Sequence, residues 1–204
     1  MLTGVHSDGL NCKKNRPKRT MSSSNEKQWY ALRSHRAFAL ETPLSGRCDE
    51  VFFPKETSHP TEGPGRLRAI IPHVMFFHAT ESEALSLETE SQREPASLPT
   101  FRIYRNIKGD RIQPIPESQI RLLKLLTAND TERCEIYSKT DFKRGTRVRV
   151  TGGIYAGYTG YVQRVKKNKH VLIEIEGVCM VLLPFIHPDL LEVLPPDSAA
   201  IHHH

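Results

Sequence analysis

The stretch FKRGTRVRVTGGIYAGYTGYVQRVKK, residues Phe142 to Lys167, decides the fold of the C-terminal part of this chain. Val148 and Val150 alternate with Arg147 and Arg149, the period-two pattern of a half-buried strand. Gly152, Gly153, Gly157 and Gly160 punctuate the following turn, and Tyr161, Val162 and Val165 open a second strand. Gly157 and Gly160 are expected where the chain reverses between two strands of a tight barrel, because glycine reaches positive φ without a Cβ clash. Further on, LIEIEGVCMVLL (Leu172 to Leu183) reads as a hairpin with Gly177 at its turn. A small all-β module with basic flanks points toward nucleic acid or its machinery rather than toward catalysis.

The rest of the 204-residue chain has room for a second small domain. Its net charge of +6 favours an anionic partner without naming one. Much of that charge is local, in Lys13 to Arg19 and in Arg164, Lys166, Lys167 and Lys169. The first cluster reads as a solvated arm, with weak phosphate binding as the alternative. No apolar run reaches the length of a membrane span, and the first residues lack the apolar centre of a secretory signal. Cys12, Cys48, Cys134 and Cys179 are scattered without a Cys-x-x-Cys pair, so neither a zinc site nor a disulfide framework is expected. A reducing cytoplasm fits this usage, and a monomer is expected. His202, His203 and His204 lie outside the fold reasoning.

Along the chain, residues 1–26 read as a disordered basic arm. QWYALR (Gln28 to Arg33) reads as a first strand, and HRAFALE begins a helix that Pro43 and Gly46 should cut short. EVFFP (Glu50 to Pro54) is a compact strand, and Lys55 to Gly65 reads as loop. LRAIIPHVMFFHA (Leu67 to Ala79) reads as a strand interrupted at Pro72 by a bulge or an edge position. ESEALSLETES carries a helical pattern, FRIYRNI reads as a strand, and PESQIRLLKLL is the clearest helix, with Ile120, Leu123 and Leu126 on one stripe. Proline and glutamate at its start are suited to a helix N-terminus. The expected fold class is α+β. An N-terminal α/β sandwich at 27–127, an antiparallel sheet with helices, precedes a linker at 128–140. An all-β barrel at 141–195 and a tail at 196–204 follow.

Four pieces in this order resemble NusG-type transcription elongation and antitermination factors. KQWYALR matches the Trp-Tyr strand that opens the family's N-terminal domain, and EVFFP matches its second strand. IIPHVMFF (Ile70 to Phe77) falls where the family has Phe-Pro-Gly-Tyr-Val, and the Tyr155-Ala156-Gly157 turn resembles a KOW motif in an SH3-like barrel. FRIYRNIKGDRIQPIPESQIRLL also looks like the specialised paralogues beside polysaccharide operons, of the UpxY type.

The resemblance implies a protein that docks an apolar depression on the clamp helices of RNA polymerase. Its KOW domain would recruit a ribosomal protein or Rho, and pausing or termination would fall. Carried onto this chain, the polymerase-binding face includes Ile71, Pro72 and Val74, with Trp29, Tyr30 and Phe53 nearby or supporting it from the core. The family's aromatics appear here as Ile71 and Val74, and its glycine as His73. For these apolar residues, and for Phe52, Phe76 and Phe77, ordinary core packing is the competing reading. Arg33, His35 and Arg36 lie on the edge that the family turns toward upstream or non-template DNA, where phosphate contact competes with a solvated face. The KOW partner site would hold Ile154, Tyr155, Ile175, Gly177, Val178 and Met180. Val178, Met180 and Val181 could instead be barrel core, since alternation buries one parity.

An enzyme is not expected. His59, His73, His78, His170 and His187 share no metal-site spacing, and no cofactor is implied. TGGIYAGYTG lacks the Gly-Lys-Ser/Thr ending of a phosphate loop, and no Gly-x-Ser-x-Gly elbow is present. The other reading kept open is a ribosome-associated RNA-binding KOW protein that uses Arg164, Lys166, Lys167 and Lys169.

Overall fold

The computed structural model describes residues 25–57, 67–128, 135–137, 145–165 and 168–195. The basic cluster at 13–19, Cys12, Cys134, His59, the side chains of Lys166 and Lys167, and the tail lie outside them. The N-terminal module runs β1 (Gln28–Arg33), α1 (Ala37–Ser45), β2 (Glu50–Phe52), β3 (Lys55–Thr57), β4 (Leu67–Ala69) and β5 (Val74–Ala79). It continues through α2 (Glu81–Arg93), β6 (Arg102–Ile103), β7 (Pro114–Ile115) and α3 (Glu117–Ala128). The C-terminal module holds β8 (Ile136–Tyr137), β9 (Arg147–Val150), β10 (Thr159–Val165), β11 (Asn168–Ile175), β12 (Cys179–Leu182) and β13 (Leu191–Val193).

The first module is built on an antiparallel sheet in the order β2-β5-β1-β6, with β7 pairing the same edge of β1 as β6. Strand alternation divides β1 between two cores. Trp29 and Ala31 face α3 with Phe76, Ile115, Ile120 and Leu123. Tyr30 and Leu32 face α1 and α2 with Leu40, Leu44, Phe77 and Leu87. The result is a helix-sheet-helix layering, a mixed α/β architecture with antiparallel strand pairing.

Local chemistry explains the element ends. Thr80 caps α2: its hydroxyl accepts from the Glu83 amide at 3.2 Å while the Glu83 carboxylate accepts from the Thr80 amide at 2.9 Å. Pro43 lies inside α1 instead of ending it, and the helix stops two residues later at Ser45, with Gly46 as its C-cap. The apolar run from Leu67 divides at Pro72 into β4 and β5, and His73 takes φ +67° in the break. The segment from Lys55, read as loop, begins with β3, which pairs β4 as a separate hairpin. FRIYRNI contributes only two residues of strand, followed by an Arg105–Ile112 bridge around a turn.

The second module is a six-stranded antiparallel sheet in the order β13-β9-β10-β11-β12-β8. β8 falls inside the stretch expected as linker and pairs β12. Val148, Val150, Val171, Ile173, Ile175 and Val181 face one core, which is continuous with the α3 core of the first module. Leu172, Met180 and Leu182 are buried on the opposite side with Tyr137 and Tyr161 against them. Both parities of the hairpin are therefore buried. Gly157 and Gly177 turn the chain at φ +87° and +71°. Gly160 is no turn residue: it lies within β10, where an added Cβ would come within 2.3 Å of the Leu172 carbonyl oxygen.

Candidate functional site

One end of the N-terminal sheet carries a surface depression of about 360 Å³. Phe38, Phe53, Ile70 and Pro72 form its apolar lining, with His35, His73 and Arg68 around it. Three elements meet here. α1 supplies Phe38, an aromatic residue left 50% exposed. The chain after β2 supplies Phe53, whose ring meets Phe38 edge to face at 4.9 Å. The break before β5 supplies Pro72 and His73. Lys55 Nζ stands 5.4 Å from the centre of the Phe53 ring and is held by the Glu41 carboxylate at 2.7 Å. Arg68 is paired with Glu56.

The break is pinned rather than loose. The Ser34 amide donates to the His73 carbonyl at 2.9 Å, tying the turn to the end of β1. The Ser34 hydroxyl donates to the Thr100 carbonyl at 2.8 Å, tying that end also to the segment before β6. His73 is thereby brought beside His35, with ring centroids 5.0 Å apart at 62°. His73 is the non-glycine residue with positive φ among the described residues.

The same end of the sheet is cationic. Arg33 pairs across the strands with Arg102, and both are exposed, as is Arg36. Among the described residues none of these three arginines makes an ion pair. Like charges placed directly opposite repel, a cost of a few tenths to about 1 kcal/mol. Burial raises the Tyr104 hydroxyl above its ordinary value, opposed by the charge of Arg33.

The residues singled out in the sequence divide between core and surface. Trp29 and Tyr30 are buried on opposite faces of the sheet. The Trp29 indole donates to the Glu117 carboxylate at 2.5 Å, and Lys124 stands 4.9 Å from its ring centre. Burial first, and the Glu81 charge second, push the Tyr30 hydroxyl up to about 12. Ile71 and Val74 are buried too, so they hold this end of the sheet in shape and do not present the contact face expected of them. Phe53 and Pro72 do line the depression, and His35 joins them at its rim. Phe53 and Pro72, expected on one partner face, and His35, expected on another, therefore adjoin. Phe38 and Arg102 were not found from sequence. A phenylalanine in an amphipathic helix and an arginine in a short strand become distinctive only once the fold brings them to this end.

In the second module Ile154 is 64% exposed and Val178 half-buried, whereas Tyr155, Ile175 and Met180 are buried. The Gly177 turn rests against the first module. The Glu176 amide donates to the Gln119 side-chain oxygen at 2.8 Å, and Gln113 approaches Gly177. A cleft of about 660 Å³ lies between the modules, bordered by Ser118 and Arg121 on one side and by Gly157 and Tyr158 on the other. Among the described residues no His, Cys, Asp and Glu side chains gather as a metal site, and no helix is long and apolar enough to cross a membrane.

No family model matches this sequence, and comparison with curated proteins finds no match. Among solved structures, one described as "Domain interaction in Thermotoga maritima NusG" is similar at 14% identity and a TM-score of 0.45, over 85% of this chain and 100% of that one.

Proposed function

We propose that this chain is a NusG-type transcription elongation and antitermination factor. Its N-terminal module binds RNA polymerase, and its C-terminal module, a KOW domain of SH3-like barrel type, recruits a second protein such as a ribosomal protein or Rho. Pausing or termination is reduced as a result, in polysaccharide operons by the finer resemblance. The observation that carries this reading is the apolar depression of Phe38, Phe53, Ile70 and Pro72, with His35, His73 and Arg68 around it, at the end of the sheet that also carries Arg33 and Arg102. An exposed apolar helix can bury its side chains in such a depression, and a few aromatic anchors can dominate affinity. Arg33, His35 and Arg36 then face the upstream or non-template DNA that a polymerase holds nearby. In the second module, exposed Ile154 and Gly177 and half-buried Val178 are the members of the expected partner site that are not buried.

Retention of purified core RNA polymerase by the immobilised full chain tests this reading. Phe38→Asp and Pro72→Asp, at exposed positions, are expected to weaken retention at least about ten-fold with circular dichroism unchanged. Absence of retention by the wild-type chain contradicts it.

One observation favours the ribosome-associated reading. Arg164 and Lys169 stand opposite each other across β10 and β11, both exposed and without an ion pair among the described residues. That reading expects salt-sensitive binding to structured RNA, lost when both are changed to glutamine, with no affinity for polymerase.

A further inference from the structure

We propose that β8 is a displaceable strap on the β12 edge of the second module, and that the protein this module recruits binds by laying an extended segment with an aromatic residue in its place. This rests on the reading of the second module as a recruiting domain, and it specifies how that domain takes its partner. The Phe38–Phe53 depression of the first module has no part in it.

The two edges of β12 have different neighbours. The Leu183 amide donates to the Val171 carbonyl at 2.9 Å, so in the antiparallel ladder the amides of Cys179 and Val181 also turn toward β11. The amides of Met180 and Leu182 turn the other way, toward β8. The Leu182 amide donates to the Glu135 carbonyl at 3.0 Å, and Met180 stands opposite Tyr137. β8 has two residues where β12 has four. A longer strand could pair along the whole of β12, as in recognition by strand addition to a sheet edge.

Side chains follow the backbone. Leu172, Met180 and Leu182 form an apolar cluster on the outer face, and Tyr137 packs against it from β8. Met180, expected in a partner site, is buried in this cluster, and removal of β8 takes the Tyr137 ring off it. The Tyr137 hydroxyl donates to the Glu135 carboxylate, so the polar tip of the ring is met within the same short segment. What β12 receives from β8 is therefore an aromatic ring and a run of backbone polar groups, and an incoming segment has to supply both. Half-buried Val178, directly before β12, joins this edge to the rest of the expected partner site. The tether protects β8 from casual exchange: a joined segment acts at an effective concentration of about millimolar, so only a longer or better-fitting strand displaces it.

Two measurements on the full chain test this. In the wild type, amide exchange followed by NMR should be at least about ten-fold faster at Met180 and Leu182, corrected for intrinsic rates, than at Val181, because the strap opens without the module. Equal exchange at the three amides overturns the proposal. The second measurement uses Tyr137→Pro, which removes the amide that the register turns toward Met180. A fluorescent peptide of residues 132–140 carrying Cys134→Ser should bind Tyr137→Pro at least about ten-fold more tightly than it binds the wild type, whose edge is occupied. The same peptide with Tyr137→Ala should lose at least about ten-fold in affinity for that variant. Absence of peptide binding to Tyr137→Pro, equal binding of the two peptides, or loss of the second module's fold in Tyr137→Pro overturns the proposal, the last because β8 would then be a structural strand. Neither measurement contains polymerase or a recruited protein, so failure of the strap and failure of the recruiting reading are seen separately.

Discussion

The Glu88 carboxylate, 4% exposed in α2, accepts a hydrogen bond from the Arg105 guanidinium at 2.7 Å and another from the Ile103 amide at 2.9 Å. Burial pushes the Glu88 carboxyl up, but Arg105 and the Ile103 amide outweigh it and hold it below the ordinary glutamate value. A carboxylate depressed in this way contributes stability that is present above its unfolded value and lost as pH falls through the folded one. Glu88→Gln should therefore cost on the order of 2 kcal/mol near pH 7, moderated because Arg105 is partly exposed. Urea unfolding at about pH 7 and about pH 3 checks this: the gap between wild type and variant should narrow sharply at the lower pH.

Gly157, in the turn, and Gly160, within β10, should respond differently to alanine. At Gly157 nothing lies within 4 Å of an added Cβ, so Gly157→Ala costs only the left-handed backbone, about 1 to 2 kcal/mol. At Gly160 the new Cβ meets the Leu172 carbonyl oxygen at 2.3 Å and Val171 at 2.9 Å. The β10–β11 pairing must open to admit it, so Gly160→Ala should be the more destabilising of the two. Thermal melts of both variants decide the order.

Ile71 and Pro72 are neighbours in sequence with opposite surroundings. Ile71 is buried in the α3 core, and Ile71→Asp should cost more than about 3 kcal/mol because it places an unpaired carboxylate there. Pro72 is exposed, and Pro72→Asp should leave the unfolding midpoint close to that of the wild type. Denaturant titration of each separates loss of fold from loss of a contact, which a binding assay with Ile71→Asp could not do.

Much of the architecture was legible from the residues. The Gln28–Arg33 strand, the helix after Pro116 and the hairpin around Gly177 stand where periodicity and turn chemistry placed them. Pro43 was misleading because α1 carries it inside its last turn, giving up the one backbone donor to Ala39 and ending at Ser45. β3 was hidden because three residues carry too little alternation to read. Gly160 was taken for a turn because sequence does not reveal how closely a neighbouring carbonyl approaches. The site was legible only in halves. Phe53, Pro72 and His35 were singled out for different partners, and the strand register and the tie from Ser34 to His73 bring them to one place. Burial of both faces of the second hairpin was beyond reach, since alternation alone cannot say what covers the outer face.

Single-round transcription by purified RNA polymerase over a template with a pause site and a terminator tests the central claim most directly. The full wild-type chain is expected to shorten the pause or raise read-through, and Phe38→Asp, with its fold intact, to lose that effect. Pause lifetimes and termination that do not change at saturating wild-type protein would contradict the account.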